Sequence, residues 1–220
     1  MKKIKLLVIS CFFVLNSVAQ NEASNWYFGE NAGLSFNLGN NTVNSTSNGR
    51  LNTREGSSSI SDDAGNLLFY TDGLTIWNKN HTTMLNGFGL NGDESSTQSA
   101  IIVPKPSDPD IYYVFTVDDR NQNGFTYGLN YSEVDMTLDG GLGSVTVKNV
   151  NLLASCSEKI TAVLKDCISE AIWVVTFASE DGTADLFNTF HAFEVTSLGV
   201  NTTSVKSTLN ATVFERRGYL

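Results

Sequence analysis

Nearly every apolar run in this chain is too short for a helix and ends in turn chemistry. Leu67-Leu68-Phe69-Tyr70-Thr71 stops at Asp72-Gly73, and Leu74-Thr75-Ile76-Trp77 follows at once. Two β-rich runs separated by Asp-Gly are the strongest short-range hairpin signal. Ala100 to Val103 ends at Pro104, and after the turn Ser107-Asp108-Pro109-Asp110 comes Ile111 to Val117. Tyr127 to Met136, Ile160 to Leu164, Ile172 to Phe177 and Phe190 to Val195 continue the pattern. Of these, Ile160 to Leu164 could pass for helix, but it is too short to stand alone. The fold class expected is all-β. Composition agrees, because 18 Gly and abundant Ser, Thr and Asn favour turns and short strands.

The strands also recur in groups. Ser57 to Ser61, Leu67 to Thr71 and Leu74 to Asn78 form one. Gln98 to Pro104, Ile111 to Val117 and Tyr127 to Met136 form a second, and Lys159 to Leu164, Ile172 to Phe177 and Phe190 to Val195 a third. The middle strands end alike, at Thr71, Thr116 and Thr176, 45 and 60 residues apart. Propeller blades repeat every ~40–50 residues, so the steps suit blades with loop insertions. A sandwich also uses short strands but gives no reason for the recurring signature. Residues 20–220 are therefore expected to form an incomplete β-propeller of about three blades plus the start of another, since closed rings have roughly 4–8. Ala211 to Leu220 reads as the beginning of a further strand, which makes the chain the amino-terminal piece of something larger.

Residues 1–19 read as a secretory signal peptide. Lysines in Met1 to Lys5 precede the apolar run Leu6 to Leu15, and Ser17-Val18-Ala19 supplies a cleavage site before Gln20. The run is shorter than the roughly 20 apolar residues a membrane span needs, so no span is expected in the mature chain. Losing Lys2, Lys3 and Lys5 takes the formal charge from −9 to −12. Such an acidic chain is not expected to bind nucleic acid, which needs clustered Lys and Arg. Cys11 leaves with the signal; the two remaining cysteines, Cys156 and Cys167, are expected to pair as a disulfide in an oxidising compartment.

Several strings resemble a known family. Asn25-Trp26-Tyr27-Phe28-Gly29 with Gly33-Leu34-Ser35-Phe36 is similar to the opening of large exported Bacteroidetes surface proteins. So are Gly65 to Asn78, Ser95 to Pro104, and Tyr131 to Met136 with Gly140-Gly141-Leu142-Gly143. The resemblance covers nearly all of residues 24–220. It implies an amino-terminal propeller-like region and export to the cell surface or beyond, through machinery that reads a gliding-motility-associated (type IX secretion) sorting domain. That sorting domain is absent from these 220 residues; a chain naturally this short would point to the periplasm instead. The family implies no defined enzymatic activity.

Candidate chemistry is sparse. Ser61, Asp63 and Gly65 fit an Asp-box-like turn, S-x-D-x-G, whose polar side chains bond nearby N–H groups while Gly takes positive φ. Its expected role is structural. His81 in a polar turn and His191 on a strand come with no local nucleophile or metal motif. Asp118-Asp119 and Asp135 with Asp139 could hold Ca²⁺ through oxygen ligands, but they lack an EF-hand loop. No cofactor is expected. Trp26, Trp77 and Trp173 are expected between sheets; a sugar platform would need exposed rings beside Asn and Asp. Together these features predict a non-enzymatic exported module for adhesion or capture of a protein or glycan ligand. The alternative is part of a glycan-active hydrolase or lyase whose site is completed beyond Leu220.

Overall fold

A computed structural model describes residues 21–119, 126–166 and 168–218. The protein is all-β: among the described residues the sole helical elements are two short 3-10 turns, Asn21–Ala23 and Asp139–Gly141. The expected signal peptide lies outside the described residues. No helix among those described is long and apolar enough to cross a membrane.

The strands fall into four antiparallel meanders in chain order. The first is β1 (Asn25–Phe28), β2 (Ala32–Asn37) and β3 (Thr42–Thr46). The second is β4 (Ser58–Ser61), β5 (Leu67–Thr71), β6 (Thr75–Asn78) and β7 (Thr83–Phe88). The third is β8 (Ala100–Lys105), β9 (Asp108–Val117), β10 (Leu129–Asp135) and β11 (Ser144–Leu153). The fourth is β12 (Ile160–Leu164), β13 (Ile172–Ala178) and β14 (Phe187–Thr196), which pairs with both β15 (Gly199–Val200) and β16 (Val205–Val213). The second and third meanders join into one eight-stranded sheet through a single parallel bridge, Leu85 of β7 to Ser144 of β11. The end strands of that sheet, β4 and β8, touch, so it nearly closes on itself like a barrel.

Local chemistry explains the turns. Between β5 and β6 the Asp72 carboxylate accepts hydrogen bonds from the N–H groups of Leu74 and Thr75, both at 2.8 Å, while Gly73 sits at φ +87°. This is the expected Asp-Gly hairpin, with Thr71 opposite Ile76 and Phe69 opposite Asn78. In β14 alternate residues Phe187, Thr189, His191, Phe193 and Val195 point inward, the period-two burial of a strand covered on one face.

Three apolar clusters lie between successive meanders. Tyr27 and Leu51 meet Tyr70 between the first and second. Phe69, Ile76 and Met84 meet Ala100, Tyr112, Val114 and Val134 between the second and third. Phe115, Val117 and Leu129 meet Ile160, Val174, Phe193 and Val195 between the third and fourth. The first strands also touch in sequence: β1 with β4, β4 with β8, and β8 with β12.

Two expectations change. The groups number four rather than three, because β1, β2 and β3 form a meander of their own. Ala211 to Val213 does not begin a new sheet: it ends β16, with Val213 opposite Phe187. All nine residues of β16 are exposed, so its alternate apolar residues Val205, Leu209, Ala211 and Val213 enter none of the three clusters.

Candidate functional site: an acidic cleft with an aromatic wall

The first strands of the first three meanders, with the 3-10 turn before β1, the turn between β4 and β5 and the start of β9, frame two adjoining cavities of about 400 and 350 Å³. Asp63, Pro109 and Tyr112 line both. The larger adds Asp62, Asp110, Leu68 and Met136. The smaller adds Glu22 from the first 3-10 turn, Trp26 from β1, Ser59 and Ile60 from β4, and Pro104 from β8. Backbone-directed hydroxyls fix these walls against each other: Ser59 Oγ donates to the Asn25 carbonyl at 2.7 Å, and Ser57 Oγ to the Tyr27 carbonyl at 3.1 Å.

The Asp-box-like turn forms one wall, although not with the residue expected to fold it. Asp62 accepts from the N–H groups of Ala64 (3.0 Å) and Asn66 (2.8 Å) and from Asn66 Nδ2 (3.0 Å). An Asx turn bonds the N–H two residues on, and from position 62 that group is Ala64. Burial alone would raise the Asp62 pKa, but the bonds from Asn66, Ala64 and Gly65 outweigh it and hold the carboxyl below its ordinary value. Ser61 is buried and accepts from Asn25 Nδ2 at 3.0 Å; Gly65 takes φ +85°, and its carbonyl accepts from the same Asn25 amide at 2.9 Å. Asp63 is thereby released from the turn and lines the cleft.

Charge in the cleft is one-sided. Glu22, Asp62, Asp63 and Asp110 line it, no Lys, Arg or His does, and none of the four is in an ion pair with a described residue. The adjacent Lys105 is held by Asp108 at 3.1 Å. Tyr112, 7% exposed, packs edge-on to Phe69 (5.6 Å) and bonds its hydroxyl to no described residue. Burial pushes its pKa up to about 12, with Asp63, Asp110, Asp62 and Glu22 adding to the rise. Trp26 is 48% exposed, tilted against Phe36 at 5.0 Å. It is not packed between sheets as expected; β1 turns Tyr27 inward, which places Trp26 on the open face. Trp77 does pack, stacked on Tyr70 at 5.6 Å, and Trp173 lies under Lys165 Nζ at 5.4 Å.

The remaining candidates are engaged elsewhere. His191 is fully buried, with Nε2 donating to the Ser179 carbonyl (2.8 Å) and Nδ1 bonded to Ser204 Oγ (2.9 Å). His81 is partly buried and bonded to Tyr70 Oη (3.1 Å) and Asn48 (2.8 Å). Burial lowers the pKa of both rings. Asp119 lies 3.9 Å from Arg217, and Asp135 accepts from Thr137 N and Oγ1. Among the described residues no three carboxylate, imidazole or thiol groups converge closely enough to hold a metal ion. Cys156 is fully buried and bridges to no cysteine among the described residues; burial first, and then Asp118, pushes the pKa of its thiol up to about 12. Its expected partner Cys167 lies outside the described residues.

Asp118 gives a test of the electrostatics. It is 2% exposed and accepts from the N–H groups of Tyr127 and Gly128. Burial lifts its pKa from 3.8 to about 6, against the pull of those two bonds and of Arg216. Between these values the folded chain holds a proton that the unfolded chain has released, so this group favours folding at low pH, and that contribution is lost as pH rises to about 6. Measured against Asp118→Asn by urea unfolding, the unmodified chain is expected to gain about 2 kcal/mol on going from about pH 7 to about pH 4. A constant difference would show that the carboxyl titrates normally.

The sequence reading missed Glu22, Asp110 and Tyr112. Each sits beside a turn signal that is legible alone, but nothing local shows that the turns before β1, between β4 and β5 and between β8 and β9 converge. Comparison with protein-family models, with curated proteins and with solved structures found no match.

Proposed function

We propose that the chain is an exported binding module, displayed on the cell surface or secreted, whose four meanders are consecutive blades of an open propeller. The stepwise contact of β1, β4, β8 and β12 supports the radial reading, as does the apolar cluster between each successive pair of meanders. The outer face of the fourth meander carries Val163, Trp173, Val175, Ala192 and Val205 beside Thr161 and Glu194, the apolar five in none of the clusters. A largely apolar face of that kind suits a further sheet, as in the amino-terminal part of a larger protein.

The cleft carries the functional reading: a half-exposed indole beside carboxylates that no protein cation neutralises is a place for a ligand, protein or glycan, rather than a packing element. Panels of oligosaccharides and peptides offered to the folded mature chain are expected to yield a ligand. Trp26→Ala should weaken it by about tenfold or more without lowering the melting temperature. Silence across both panels, or binding indifferent to Trp26→Ala and Asp63→Asn, would overturn the assignment. Carboxylates on facing walls are also what a glycoside hydrolase uses, so turnover of an oligosaccharide abolished by Asp63→Asn or Asp110→Asn would replace capture by catalysis.

A further inference from the structure

Resting on that cleft as the ligand site, we infer that its occupant is a flexible aliphatic chain bearing two cationic nitrogens, one for each lobe. Four carboxylates around one cleft repel one another, and no lysine, arginine or histidine lines it to balance them. The missing positive charge belongs to the ligand. It is not a single metal ion, because the acids are spread over two cavities and do not converge on one point. Asp62 and Asp110 serve one lobe and Glu22 the other, with Asp63 shared between them. A ligand with two separated ammonium or guanidinium groups matches that division.

An acceptor without a partner points the same way. Tyr112 lines both lobes and is more than nine-tenths buried, and its oxygen can accept from a ligand N–H where no described residue uses it. It waits for a donor, and cationic nitrogens supply donors alone. Glu22 lines the smaller lobe and is in no ion pair with a described residue. Trp26 offers its ring face to the same charge. Between the charged positions the walls are apolar, Ile60, Leu68, Pro104, Pro109 and Met136, which suits methylene groups.

One ligand chemistry has two sources here, a free diamine or the lysine side chains of a peptide. Calorimetric titration of the folded mature chain with cadaverine, trilysine, pentylamine, calcium chloride and a neutral glucose oligomer separates them. Trilysine or cadaverine is expected to bind at least about tenfold tighter than the monoamine, since a second charge-assisted contact is lost in the latter. Binding should weaken as salt is raised. Asp63→Asn with Asp110→Asn should cost a further tenfold or so, and Tyr112→Phe a few-fold. Binding of trilysine alone identifies a peptide source, and binding of cadaverine a free amine; either supports the inference. Equal affinity for pentylamine, or tight Ca²⁺ binding that displaces the amines, overturns it. If the neutral oligomer binds in a Trp26-dependent way while the amines do not, the cation is wrong and the cleft stands. If no probe binds a chain that melts normally, both fall.

Discussion

Replacing Phe115 by Ala is expected to remove about 3–5 kcal/mol of folding stability. The ring is fully buried on β9 in the cluster between the third and fourth meanders, which also holds Leu129, Val174 and Phe193. Truncation deletes most of an aromatic side chain where backbone pairing with Tyr131 and Ile101 fixes the surroundings on both sides. Collapse around the gap is thus limited, which sets the cost at the upper end. Urea unfolding should show a lower midpoint at unchanged slope, and thermal unfolding a drop of about 10 °C. Phe88, 72% exposed on β7, is the matched control; its alanine variant should stay within about 0.5 kcal/mol of the parent. Similar losses at both sites would mean the cluster does not bind the sheets together.

Gly128→Ala should be comparably severe, at about 3–5 kcal/mol. Gly128 holds φ +63° just before β10, and a Cβ there would lie 2.0 Å from the Leu153 carbonyl oxygen and 2.7 Å from the Ala154 carbonyl carbon. Both obstacles are backbone, so no rotamer change relieves them. Gly140 separates the two effects, because it has nearly the same φ, +64°, with nothing within 4 Å. Gly140→Ala isolates the left-handed penalty at about 1–2 kcal/mol. Were the two variants equally stable, the close approach of Gly128 to the Leu153–Ala154 backbone would be wrong.

How legible these features were depended on which faces are buried. Leu67 to Thr71 and Ile172 to Phe177 were plain because central strands must be apolar. Thr42–Thr46 carried little apolar signal, and the alternate Val205, Leu209, Ala211 and Val213 of β16 mislead about burial: both are edge strands, exposed almost throughout, and pair with β2 and β14. The common threonine endings are real in that Thr71, Thr116 and Thr176 are all buried. Yet Phe69 packs forward onto the third meander while Val114 packs back onto the second, so one motif hides opposite facings. The cleft was illegible for a different reason. Its residues run from position 22 to 136, and what unites them is the convergence of turns, a property of tertiary packing that no spacing encodes.

The apolar clusters that join each meander to its neighbour in sequence have a consequence for how the molecule is made. A polypeptide emerging amino end first finds, for every newly completed meander, a sticky surface already waiting on the one before it. Assembly can then advance as a vectorial process, like courses laid one upon another, without holding distant segments in reserve. Damage to the last course should leave the earlier ones standing, a pattern that pulse-labelled hydrogen exchange during refolding would make visible.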